Sequence, residues 1–224
     1  MAARTAVLNV VGLAPALLAR AMPGLARWAA QGRIARLKPA FPAVTCTAQS
    51  DYLTGRRAAD HGVVGNGWYD REDCEVRFWK QANPLVQSPK IWDAARMADP
   101  GFTVANLFWW FNMYSSADYS VTPRPMYPAD GRKLPDVYAQ PAMLRDDLQR
   151  ALGTFPLFEF WGPRAGIRSS EWIAEAAKIV EKRFTPTLSL VYLPHLDYNL
   201  QRLGVADRRI DRDLAAVDTL VSDL

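Results

Sequence analysis

The chain has 224 residues and a formal net charge of +4, with half of its residues apolar and 22% charged. That is the length and composition of one globular domain, and it excludes disorder as the dominant state, because the apolar surface is ample to offset chain entropy. The charge excess is too small and its arginines too scattered to imply a nucleic-acid partner; Cys46 and Cys74 allow at most one disulfide, which excludes a disulfide scaffold, and the two read as free thiols.

In chain order, Ala6–Val11 is an apolar run bounded by Gly12. A weak secretory signal over residues 1–22 competes with a buried strand. The strand is preferred, because Asn9, Pro15 and Arg20 interrupt the apolar stretch and the same pattern recurs later. No apolar run reaches the roughly 20 residues that span a bilayer, so the expectation is a cytoplasmic protein with no membrane partner. Leu17–Ala30 shows helical spacing at Leu17, Leu18, Leu25 and Trp28, broken by Pro23 into two pieces. Thr45–Leu53 reads as a helix closed by Gly55. Ser88-Pro89 reads as the N-cap and first turn of a helix carrying Ile91, Trp92 and Ala95. Phe102–Trp109 is a buried strand, and residues 111–141 a long ordered loop rich in Pro, Tyr and Asp. Met143–Leu152 is a helix stopped by Gly153, and Ser169 or Ser170 is expected to cap a longer one with Trp172, Ile173, Ala176, Val180 and Phe184 on one face. Thr187–Leu193 is a strong buried strand, and Arg209–Leu224 repeats apolar residues at helical spacing. Strands alternating with helices predict an α/β fold around a largely parallel sheet.

Ligands of open α/β sheets sit beyond the carboxyl ends of the strands. Three loops qualify: after Val11, around Thr45 and after Leu193. Thr45 opens a helix, where a phosphate would meet free backbone N–H groups and the positive end of the dipole. It is equally readable as a plain N-cap, as is Thr47. Asp197, in Leu193-Pro194-His195-Leu196-Asp197-Tyr198, is placed to hold a metal or to cap its loop. His61 and His195 read as structural, Asn66, Tyr69 and Asp70 as a polar loop that either lines a site or closes a turn, and Trp109 and Trp110 as core.

The order and spacing of these segments resemble the nucleotide pyrophosphatase/phosphodiesterase family of the alkaline phosphatase superfamily, in a bacterial branch. The interval from Thr45 to Thr54-Gly55, then His61-Gly62-Val63-Val64-Gly65-Asn66, matches that family's nucleophile helix and the run after it. Asn66-Gly67-Trp68-Tyr69-Asp70, Pro89-Lys90-Ile91-Trp92, Phe108-Trp109 and Asp197 through Gly204 match further family segments in order along the whole chain.

The resemblance implies an alkaline-phosphatase-like, mostly parallel sheet flanked by helices, with residues 1–224 as the N-terminal portion of a single domain and the domain incomplete. It implies a small phosphorylated substrate and two divalent ions, usually zinc, flanking a Thr hydroxyl that attacks a phosphodiester. Carried over by position, Thr45 is the nucleophile and a metal ligand, Asp197 a metal ligand, and Asn66 a pocket residue in contact with substrate. Three positions depart from the family: Val11-Gly12 stands where it has Asp-Gly, Gln201 where it has a metal-binding His, and Ala48 where it has an oxyanion-donating Asn. The expected activity is therefore phosphoester hydrolysis; the alternative is a member that binds an anionic ligand without turnover, with no metal in this chain.

Overall fold

The opening apolar run forms strand β1 (Thr5–Val10) in the computed structural model, which describes residues 3–224. The two proline-divided pieces follow as α1 (Pro15–Ala21) and α2 (Pro23–Ala29), each with its proline in the first turn, where no N–H is needed. Helix α3 (Thr45–Thr54) ends at Gly55, which adopts a left-handed conformation (φ 63°). Its buried positions are Cys46, Thr47, Gln49, Ser50 and Leu53, so it turns a largely polar face inward. A single turn, α4 (Ala58–His61), leads to an antiparallel hairpin of β2 (Gly67–Asp70) and β3 (Glu75–Phe78), with Gly67 opposite Phe78. Of the polar loop expected at Asn66, Tyr69 and Asp70, Asn66 is the entry to β2 and Tyr69 and Asp70 lie within that strand.

Helix α5 (Ile91–Ala98) begins later than Ser88-Pro89 suggests. Lys90 precedes it and donates its backbone N–H to Asp93 Oδ2 at 2.9 Å, while Ser88 Oγ donates instead to the Asp60 carbonyl at 3.1 Å. Strand β4 (Val104–Leu107) is fully buried. The segment expected to be a long loop contains two strands, β5 (Tyr119–Pro123) and β6 (Val137–Gln140), which pair antiparallel. Helix α6 (Met143–Leu152) runs to Gly153 as the spacing predicts. Helix α7 (Ile167–Phe184) starts before Ser169 and Ser170, which are buried inside it; Ser169 Oγ donates to the Gly166 carbonyl and caps nothing. Strand β7 (Leu188–Leu193) is followed directly by α8 (His195–Leu203), where the sequence suggested a loop, and then by α9 (Ile210–Asp223).

The five-stranded sheet has the order β1-β7-β4-β5-β6, and all its neighbours except β5 and β6 are parallel. The chain returns from α7 to insert β7 between β1 and β4, so the carboxyl ends of β1 and β7 lie side by side, with Val10 opposite Leu193. The main core packs Trp172, Ile173, Ala176 and Val180 of α7 against the sheet and the rings of Phe108, Phe155 and Phe160. A second core joins α1, α8 and α9 through Leu17, Leu196, Ile210, Leu214 and Val217. Cys46 is buried and Cys74 exposed, and both are free thiols. No helix among the described residues is long and apolar enough to cross a membrane.

Candidate active site

One wall of the site is the N-terminus of α3. Val44 is extended (φ −118°, ψ 160°) and is the residue before the first helical turn, so Thr45 sits inside that turn and does not cap it. The free amides of the turn are therefore not consumed by a capping side chain. The Cys46 N–H is met from outside by Asn66 Oδ1 at 2.9 Å. With that oxygen accepting, the Asn66 amide keeps its two N–H donors for another partner. The Thr45 and Thr47 amides make no hydrogen bond within the protein among the described residues. The helix is fixed in place through Gln49, which donates to Asn9 Oδ1 and accepts the Trp110 N–H, both at 2.8 Å. One buried amide thus ties β1, α3 and the loop after β4 together.

His61 is fully buried behind this wall. Its Nδ1 accepts the Val63 N–H at 3.1 Å, which leaves the proton on Nε2 to be donated to Asp51 Oδ1 at 2.7 Å. The residue clamps the corner between α3 and α4 and is structural, as the sequence suggested.

The facing wall is α8. Gly12, at the end of β1, has φ 81°, and a Cβ there would lie 2.8 Å from Leu200 Cδ1 and 3.4 Å from the Asp197 amide nitrogen. Glycine is what lets the β1 turn press against the first turn of α8. Asp197 is half-buried, which pushes its carboxyl above the ordinary range, and a hydrogen bond from Gln201 Nε2 at 2.6 Å opposes that shift. Between the walls stands Tyr192 of β7. Burial pushes its phenol well above the ordinary tyrosine range, the negative charge of Asp197 adds to that, and the neighbouring Thr45 side chain opposes it. Tyr198 donates its hydroxyl to the Phe160 carbonyl at 2.9 Å. His195 points elsewhere: its Nε2 lies 3.2 Å from Asp213 Oδ1, in the second core.

Thr45, Asn66 and Asp197 all line one cleft of ≈ 770 Å³. Residues far apart in the sequence are thus gathered at one end of the sheet, beyond the carboxyl ends of its strands. Tyr69 and Asp70 are not at the cleft; Asp70 pairs with Arg77 at 3.0 Å in the hairpin. Trp109 and Trp110 are both in the core, as expected; Trp110 also forms part of the cleft wall, where it stacks on Trp161 (centroids 5.9 Å apart) and meets Trp79 at 4.8 Å. Sequence reasoning missed Tyr192, Gln49, Trp79, Trp161 and Arg202. Only Arg202, beside Gln201 in a segment already singled out, carried a usable signal.

The donor set does not fit a pair of zinc ions. Asp197 and Arg202 are the charged residues among those lining the cleft. Val11 offers no lone pair, and the Gln201 amide is engaged with Asp197. No group of three or more His, Cys, Asp or Glu side chains among the described residues could hold a metal.

The mostly parallel sheet and its end-on cleft define an α/β protein of alkaline-phosphatase-like architecture. The sequence model described as Type I phosphodiesterase / nucleotide pyrophosphatase matches residues 5–224, and the chain belongs to that family, whose members are generally dependent on divalent metals. Human ectonucleotide pyrophosphatase / phosphodiesterase 5 is similar in structure, with TM-score 0.64 and 14% identity over 98% of this chain and 50% of that one. Its murine counterpart, inactive and in complex with AMP, gives 0.58 and 13% over 99% and 51%. Phosphonoacetate hydrolase from Sinorhizobium meliloti, in complex with phosphonoacetate, gives 0.60 and 20% over 97% and 54%. The chain therefore spans about half the length of these structures. A search of curated protein sequences finds no match.

Proposed function

We propose that the cleft is the substrate site of a phosphoester hydrolase acting on small phosphorylated molecules, with Thr45 as the nucleophile. The observation that carries this reading is the Thr45 hydroxyl at the first turn of α3, with its own unpaired backbone amide and the Asn66 amide, in one cleft with Asp197. A phosphoryl group placed there meets N–H donors and the positive end of the helix. Attack would form an Oγ1–P bond and break the bond from phosphorus to the leaving oxygen, and the Thr45 proton must go to an acceptor. Asp197 is the carboxylate in the cleft, and its burial-raised affinity for a proton suits that role. Water then hydrolyses the phospho-threonine. Family membership and the hydrolases among the structural neighbours support the reading.

A second reading, binding of a phosphorylated ligand without turnover, is favoured by Val11 and Gln201, which stand where the family carries metal ligands. Hydrolysis of bis-p-nitrophenyl phosphate, measured alongside AMP binding, separates the two. Turnover abolished by Thr45→Ala and by Asp197→Asn is the expected result. AMP binding with no turnover would establish the second reading, and turnover indifferent to Thr45→Ala would overturn the first.

A further inference from the structure

We infer that this cleft binds its phosphoryl group without a divalent metal, by the Thr45 main-chain amide at the start of α3, the Asn66 amide and the positive field of Arg202. The inference rests on the site proposed above and departs from the metal dependence general in the family. The positions that fail as ligands are in this chain itself: an apolar Val11 at the β1 turn, and at Gln201 a neutral amide whose Nε2 is bound to Asp197. An amide oxygen is a poor zinc ligand beside imidazole, and an isopropyl group is none.

What the chain offers is a set of donors. Thr45, which lines the cleft, keeps its N–H unpaired, and the Cys46 contact orients Asn66 so that its NH₂ group is left over. Arg202 supplies the one positive charge among the lining residues. Its guanidinium is held in place by the carbonyls of Gly162, Pro163 and Ala165 and by Asn199 Oδ1, at 3.1–3.3 Å, so its charge is fixed beside the cleft. Fixed dipoles and a fixed cation bind a dianion without the reorganisation that water would need.

The test is calorimetric titration of AMP into the chain, first stripped with a chelator and then supplied with zinc, with the metal content of each sample measured. Equal affinity in both states is expected. Arg202→Ala should weaken binding about tenfold, the effect of losing one fixed charge near an anion, while Arg202→Lys restores most of it. Affinity that appears only after zinc is added would overturn the inference and leave the proposed site standing, as would an Arg202→Ala variant that folds and binds like the parent. No AMP binding in either state would overturn the proposed function as well.

Discussion

Gln201 Nε2 lies 2.6 Å from Asp197 Oδ2, one helical turn along α8. At the corresponding place the resemblance to metal-dependent phosphodiesterases implies an imidazole that shares a metal with the Asp. Here an amide donor satisfies the carboxylate directly, and the pair is closed without an ion. Replacing both departing positions, Val11→Asp together with Gln201→His, should therefore create zinc affinity that the parent lacks. Metal content after dialysis checks this: the double variant is expected to retain zinc and the parent to lose it. An unchanged metal content would show that these two positions do not govern metal binding.

The His61–Asp51 clamp makes a stability prediction. His61→Ala removes a fully buried ring, leaves the Val63 N–H without its acceptor and strips Asp51 of its donor. The cost should be about 3 kcal/mol. For a chain of this size that corresponds to a fall of roughly 6 to 12 °C in Tm, read by scanning calorimetry. A shift under a degree would mean that the clamp does not hold the α3–α4 corner.

His195 sets a pH dependence. Burial holds its folded-state pKa below the ordinary value of 6.5, against the opposing pull of Asp213, the Gly166 backbone and Glu171. The unfolded chain then binds this proton more readily than the folded one. The stability contributed by neutral His195 is present above pH 6.5 and is lost as pH falls below it. Tm should decline between pH 7 and pH 5, and His195→Gln should flatten that part of the profile. A profile of unchanged slope in the variant would assign the decline to other groups.

The two thiols should differ in reactivity. Burial pushes the Cys46 thiol up to about 12, so almost no thiolate is present near neutrality, whereas Cys74 is exposed. Ellman's reagent should label one cysteine in the native protein and both after denaturation. Rapid labelling of two in the native state would mean that the start of α3 opens readily.

Much of the fold was legible because local rules agree with tertiary structure in this chain. Helix α6 ends at the Gly153 that the sequence marks, α1 and α2 divide at Pro23, and β7 is an apolar run that the sheet buries; β1 forms where expected but is not the buried strand the sequence suggested, because it lies at the sheet edge with Thr5–Val7 exposed and Leu8–Val10 half-buried. Where long-range pairing decides, the reading failed. Tyr119–Pro123 and Val137–Gln140 are strands because each supplies the other's hydrogen bonds, and neither has an alternation strong enough to announce it. The segment after Leu193 became a helix, although a run with Pro, His, Asp and Asn reads locally as a loop.

Thr45 and Asp197 were expected to meet at one end of the sheet, and they do line one cleft; what brings them there is tertiary, since β7 is inserted beside β1 so that α8 begins next to the β1 turn. The sequence by itself determined the α/β alternation and the family, because these are properties of residue identity and local order. Only the tertiary structure decided that the Asn66 oxygen is spent on Cys46, that Gln201 closes on Asp197 and that Tyr192 stands between the two walls. Hydrogen bonds and burial are relations between distant segments, and no local pattern encodes them.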